Sequence, residues 1–186
     1  HQVFFNILSL AYQSKGELDK SEKIMEEALK IDPNNPFFLN NMGVTQHKIG
    51  NFIKAEEYFN RGLKKVPNYV NILNNLGNLK KDLDQTNEAL DYYKKSLSIN
   101  PKVIQTLLNI SICLQSLGKF EESKNYLNKL LEIDPKFTIA DRLISSMTKY
   151  DKGNIHFESM LDKLKKIKLN DFQLANLFFG IGKAYE

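Results

Sequence analysis

Four of the five prolines, Pro33, Pro67, Pro101 and Pro135, stand 34 residues apart. The glycines keep the same interval: Gly16, Gly50 and Gly118 share one register, with Asp84 in the slot between, and Gly43 and Gly77 share a second. Proline stops a helix because it lacks an amide donor and restricts the residue before it, and glycine takes the left-handed conformation that closes a helix. A fixed period of this length means a supersecondary unit repeated along the chain and stacked on its neighbours, so the chain builds an array and not one convergent core.

Within a unit the apolar residues follow a helical period. In the third, Ile72, Leu76, Leu79 and Leu83 recur at i, i+4, i+7 and i+11, and Ala89, Leu90, Tyr93 and Leu97 form a second stripe after the polar break at 84–86. Two helices and two turns therefore fill each period.

The period, the layout and the residues resemble the tetratricopeptide repeat. That family places large residues at positions four, seven and eleven, small ones at eight, twenty and twenty-seven, an aromatic at twenty-four and proline at thirty-two. Unit one (2–35) supplies Phe5, Leu8, Ser9, Tyr12, Ser21, Met25, Ala28 and Pro33. Unit two (36–69) supplies Leu39, Met42, Gly43, Ala55, Phe59, Gly62 and Pro67, and unit three (70–103) supplies Leu73, Leu76, Gly77, Ala89, Tyr93, Ser96 and Pro101. Unit four (104–137) supplies Leu107, Ile110, Ser111, Leu114, Ser123, Leu127 and Pro135. Gln46 and Lys80 depart from the pattern at position eleven, and Leu130 at twenty-seven. The resemblance implies an all-α fold, a right-handed α-α superhelix of antiparallel helix pairs, with residues 1–137 forming four units.

Beyond Pro135 the pattern loosens. Residues 138–174 read as a divergent fifth helix pair, with helices expected over 139–147 and 154–167. Residues 175–186 read as the first helix of a truncated sixth unit, with Asn170 or Asp171 as the cap of its helix. Terminal repeats normally carry a polar outer face, and Leu177, Phe178 and Phe179 do not supply one, so the end reads as a cut. Residues 156–186 also resemble the segment that joins such repeats to a sulfotransferase domain in bacterial proteins, through Phe179, Gly180, Gly182, Lys183, Ala184, Tyr185 and Glu186. That likeness implies a catalytic domain downstream of residue 186.

Composition removes several functions. The net charge is +4, well short of a dedicated nucleic-acid surface, and no apolar run reaches the roughly 20 residues of a membrane span. One cysteine, Cys113, leaves no internal disulfide, and three histidines, His1, His47 and His156, show no ligand spacing. No cofactor and no metal are expected. Cys113 lies between Ile112 and Leu114 and reads as a small core residue. The run Gly180 to Ala184 lacks both the earlier glycine and the hydroxyl of a phosphate loop, and Lys163, Lys165, Lys166 and Lys168 read as a solvated helix face. The chain opens on His1 without a leader pattern. Its natural start reads as lying upstream, and a cytoplasmic location is expected. Lysine outnumbers arginine 24 to 2, a bias that points to an AT-rich, microbial coding sequence, and the sulfotransferase-fusion resemblance implies a bacterial one.

The binding residues follow from the resemblance, which implies a concave groove lined by positions two, five, six and nine of the first helices. Asn71, Asn74, Asn75 and Asn78 fall there with spacing i, i+3, i+4, i+7, one side of one helix. Asn41, Asn75 and Asn109 share position six, the arrangement of the amide ladder in the repeats of O-linked N-acetylglucosamine transferases. A side-chain amide both donates and accepts, so it can hold a peptide backbone whatever its sequence; the same residues can instead brace neighbouring helices. Around them lie Phe37, Val44, Gln105, Leu108 and Ile112, with Val3, Leu10 and Ile139. The clamp for a chaperone C-terminal tail needs cations, and Asn74, Asn78, Asn109, Ile139 and Leu143 supply none. The expected function is a non-catalytic scaffold for a protein or peptide segment. The alternative is the substrate-positioning region of a sulfotransferase, with the downstream domain as partner in cis.

Overall fold

The computed structural model describes residues 2–186; His1 lies outside the described residues. Among them there are eleven helices and no strand. Unit 1, His1–Pro101, holds α1 (Gln2–Lys15), α2 (Leu18–Ile31), α3 (Pro36–Ile49), α4 (Phe52–Lys65), α5 (Val70–Asp82) and α6 (Thr86–Ile99). Unit 2, Lys102–Glu186, holds α7 (Ile104–Ser116), α8 (Phe120–Ile133), α9 (Thr138–Ser146), α10 (Ile155–Lys166) and α11 (Asp171–Ala184).

The punctuation acts as its chemistry dictates. Asn35 caps α3 by accepting from the amides of Phe37 and Phe38, with Pro36 in the first turn where no donor is missed. Gly16, Gly50 and Gly118 have φ of 74°, 94° and 71°. Asp84, in the slot without glycine, adopts φ 59°, a conformation that the short polar side chains of Asp and Asn tolerate best among L-residues. Asn170 and Gln173 close a capping box at α11.

In unit 1, α1 packs on α2, α3 on α4 and α5 on α6, while the first helices α1, α3 and α5 lie side by side. The pairs close where a small residue meets a large one. A Cβ on Gly43 would lie 2.5 Å from the Phe59 ring, and one on Gly77 would lie 2.4 Å from the Tyr93 ring. Met25, Ala28, Phe38 and Met42 form one core cluster, and Ala55, Phe59, Ile72, Leu76 and Leu79 form the next.

The polar departures at position eleven have partners. Gln46 Nε2 donates to Glu22 Oε1 at 2.7 Å, and Lys80 Nζ pairs with Glu56 at 2.8 Å and Glu88 at 3.3 Å. Both acidic groups at the 24-residue offset, Glu22 and Glu56, sit on the second helix of the preceding period.

In unit 2, α7 packs on α8 and α8 on α9. Residues 138–174, read in the sequence as a divergent pair, contain α9 and α10, but α9 lies closest to α11. Gly180 permits this approach, because a Cβ there would meet Met160 Sδ and Ser145 Oγ at 2.8 Å.

Candidate functional site

The first-helix face of unit 1 combines apolar side chains and amides. Val3, Ile7 and Leu10 of α1 and Phe37 of α3 are exposed, and Val44 is half-buried. On α5, Asn71 is exposed while Asn74, Asn75 and Asn78 are half-buried. Phe37 packs edge-on against Tyr69, with ring centroids 5.4 Å apart. Burial pushes the Tyr69 phenol above its ordinary pKa, and a bond with the Asn71 side chain lowers it in part. Tyr69 thus lines the lip between Phe37 and Asn71; as the residue before a helix it carries no periodicity that could single it out.

The amides are linked to one another. Asn75 Nδ2 donates to Asn40 Oδ1 at 2.9 Å, Asn40 Nδ2 to Asn41 Oδ1 at 3.2 Å, and Asn41 Nδ2 to Asn6 Oδ1 at 3.0 Å. The bonds between helices span 35 residues, one full period plus one step: position six of a unit reaches position five of the unit before it. Asn6 and Asn40 are therefore members that the sequence reading missed, and the 35-residue spacing is the signal that locates them. Asn40 and Asn41 are 8% and 7% exposed, so their amide edges are spent mainly within the protein. Below this chain, Gln13 Nε2 donates to the Asn41 carbonyl at 3.2 Å and to Thr45 Oγ1 at 3.0 Å, and Ser21 bonds both Ser9 and Thr45 at 2.9 Å. Asn78 accepts from the Tyr93 hydroxyl at 2.7 Å, which ties α5 to α6.

In unit 2, Gln105 Nε2 donates to Asn109 Oδ1 at 3.0 Å; Gln105 and Ile112 are exposed, Leu108 is half-buried and Asn109 is buried. Positions two, five, six and nine of the four repeats hold no charged residue. A neutral face of this kind offers hydrogen bonds and apolar contact, with no charge to steer an anion or a cation.

A second polar cluster, not legible from spacing, lies inside unit 2. Lys163 Nζ bonds Asp141 Oδ2 at 2.6 Å with both side chains buried, and Asp141 Oδ1 faces His156 Nε2 at 3.5 Å. The Tyr150 hydroxyl bonds His156 Nδ1 at 2.7 Å and Ser145 Oγ at 2.8 Å. Burial raises the Tyr150 pKa, a bond with Ser145 lowers it, and the Asp141 charge raises it further. Lys163 belongs to this interior and not to a solvated face; its reach from α10 to α9 ties the two helices together. Cys113 is buried, in the packing position that its neighbours Ile112 and Leu114 indicated. Among the described residues no three His, Cys, Asp or Glu side chains gather as metal ligands, and no helix is long and apolar enough to cross a membrane.

Models of the tetratricopeptide repeat match residues 3–35, 24–57 and 69–136, together about two thirds of the chain. The chain is a tetratricopeptide-repeat protein. Its all-α fold is that of solved structures of the same class. A crystal structure of MamA superposes with a TM-score of 0.67 at 19% identity, covering 96% of this chain and 95% of that one. The pilF structure of Pseudomonas aeruginosa superposes with a TM-score of 0.76 at 16% identity, covering 97% and 86%. At such identities the likeness is one of fold. No protein of curated function gives a significant sequence match. A tetratricopeptide-repeat chain is in general a protein-interaction scaffold, and the arrangement of Phe37, Tyr69 and the α5 amides is where this repeat protein presents mixed apolar and amide chemistry.

Proposed function

We propose that this repeat protein is a non-catalytic scaffold whose first-helix face in unit 1 binds an extended, largely uncharged peptide segment of a partner protein. The observation that carries this reading is the pairing of exposed apolar groups, Ile7, Leu10 and Phe37, with the amide row of α5 on a face without charge. Apolar residues of the peptide rest on α1 and α3, and its backbone bonds the amides of Asn71 and Asn75. An asparagine that gives one bond to a neighbour retains further donor and acceptor capacity. Gln105, Leu108 and Ile112 form a patch of the same chemistry in unit 2. Asn41, being buried and bonded to Asn6, braces α1 against α3, and Asn109 is buried with its side chain bonded to Gln105 of its own helix.

The test is selection of a displayed random-peptide library on the 186-residue chain, followed by titration of a labelled synthetic peptide from the winners. Selected peptides should be apolar and uncharged, and affinity should change little with salt. Phe37→Ala should weaken binding about tenfold or more, as truncation of an aromatic anchor does, and Asn71→Ala by roughly tenfold or less. Asn41→Ala should lower the melting temperature and leave affinity intact. Selection of charged motifs, or unchanged affinity in a folded Phe37→Ala/Asn71→Ala variant, would overturn the assignment.

A further inference from the structure

One aromatic pair on the first-helix face of unit 1 is not called for by the repeat. Phe37 stands at position two of the second repeat and Tyr69 at position thirty-four of the same repeat. The corresponding residues are Val3 and Asn35 in the first repeat, Asn71 and Val103 in the third, and Gln105 and Phe137 in the fourth. The other repeats stack without two aromatic residues there, so the stacking does not require this pair.

Both residues are held in place in advance of any ligand. The Phe37 amide donates to Asn35 Oδ1 at 3.0 Å. The Tyr69 amide donates to the Val66 carbonyl, and the Tyr69 carbonyl accepts from the Leu73 amide, each at 3.1 Å. The Tyr69 ring packs on the core cluster of Ala55, Phe59, Ile72, Leu76 and Leu79. The two rings meet at 68°, and Phe37 keeps 45% of its surface exposed. They form a fixed aromatic wall.

The polar groups beside this wall act as donors. The phenol oxygen takes a hydrogen from the Asn71 side chain. A hydroxyl has one hydrogen to give, so Tyr69, accepting from Asn71, gives its own to a third group. Further along α5, Asn75 gives one amide hydrogen to Asn40 Oδ1 at 2.9 Å and keeps a second. Tyr69 and Asn75 can therefore both donate to carbonyl oxygens.

This chemistry selects the segment that fits. An ordinary peptide brings an N–H for every carbonyl, and an N–H pressed against the two rings loses water and meets no acceptor, which costs binding. A prolyl residue has no N–H and lays an apolar ring on the wall. A proline-rich segment in the polyproline II conformation carries no charge and makes no internal hydrogen bonds, so its carbonyls stay open to donors. It rises about 3.1 Å per residue, so two residues span roughly 6 Å, the separation of Asn71 and Asn75 along α5. Its shape exists before binding, so little ordering is left to do. Resting on the reading of this face as a peptide site, we infer that its occupant is a proline-rich segment in this conformation. A prolyl ring lies against Phe37 and Tyr69, and neighbouring carbonyls accept from Tyr69 and Asn75.

The test is fluorescence anisotropy of the 186-residue chain titrated into labelled, end-capped decaproline, beside a capped decamer of alternating serine and valine. Decaproline should bind about tenfold more tightly or better, since the control brings unpaired N–H groups to the wall. Tyr69→Phe keeps the ring pair and should melt close to the parent, yet weaken decaproline binding roughly two- to tenfold through the lost hydroxyl. Decaproline that binds no better than the control, or that binds folded Tyr69→Phe and Phe37→Ala as it binds the parent, would overturn the inference. If proline-free peptides selected from the random library bind and lose affinity in Phe37→Ala while decaproline does not bind, this inference alone fails and the peptide site stands. Failure of every peptide, library winners included, would overturn both.

Discussion

Lys80 shows what one residue out of pattern entails. Position eleven is apolar in units one and four, Tyr12 and Leu114, yet here a lysine lies 7% exposed between Glu56 and Glu88. Its bond with Glu56, then Glu88, raises its pKa against the lowering effect of burial. A raised lysine pKa contributes stability that is complete below the unfolded value of 10.5 and is lost as pH rises through the folded value. Replacing a buried charge by an apolar side chain of similar length is often near neutral, and Glu56 and Glu88 keep enough exposure to stay hydrated. Lys80→Met should therefore change stability at pH 7 by no more than about 1 kcal/mol. In alkaline denaturant titrations the parent should lose stability above pH 10.5 and the variant should keep it. A loss of several kcal/mol at pH 7 would show the ion pairs to be essential. The sequence marked Lys80 as a departure but could not name Glu56 as its partner, because a 24-residue offset joins helices of different periods and matches no helical spacing.

At the scale of the helix pair, the contact between positions eight and twenty-four varies as a unit. Gly43 and Gly77 receive the Phe59 and Tyr93 rings, whereas Ser9 and Ser111 stand in units whose position twenty-four is Met25 and Leu127. Where the first helix gains a hydroxymethyl group, the second loses a ring, and the pair keeps its volume. Gly77→Ser alone should cost about 1–3 kcal/mol by overpacking against Tyr93. Tyr93→Leu alone should cost a similar amount through its cavity and the lost bond to Asn78. Gly77→Ser/Tyr93→Leu should cost less than the sum, and thermal denaturation of all four proteins measures that coupling. Strict additivity would show that the two sites do not share space. This pairing is legible in the sequence because both positions recur every period. The Asp141, Lys163 and His156 cluster is not: charged residues normally face solvent, and the irregular stretch between α9 and α10 breaks the register that would have aligned them. The helices themselves were readable there, with α10 at Ile155–Lys166 against an expected 154–167, since a cap and an apolar stripe are local signals.

For the whole molecule, the amide chain couples the length of the array to its internal bonding. Both inter-helix bonds span 35 residues, so the two interfaces between first helices in unit 1 use one rule. Removing residues 36–69, one complete period, places Asn75 in the position of Asn41, opposite Asn6. That deletion variant should retain a cooperative thermal transition by circular dichroism at a somewhat lower midpoint. Removing residues 36–65 sets the following asparagines out of step and should give a broad, non-cooperative loss of helix. Equal behaviour of the two deletions would show that the amides impose no register. The repeat period was visible in the prolines alone; the amide rule was only half visible, because Asn41 and Asn75 were aligned by position and their acceptors stand one residue away from that alignment. Its consequence is genetic. Unequal recombination between the coding repeats of units two and three yields arrays longer or shorter by whole periods, and each daughter inherits a closed set of bonds, because both units carry Asn at positions five and six. A frame-preserving indel of any other size does not, and is exposed to selection at once. The asparagine chain thus works as a proofreader of repeat number, letting such a gene drift in length while its product still folds.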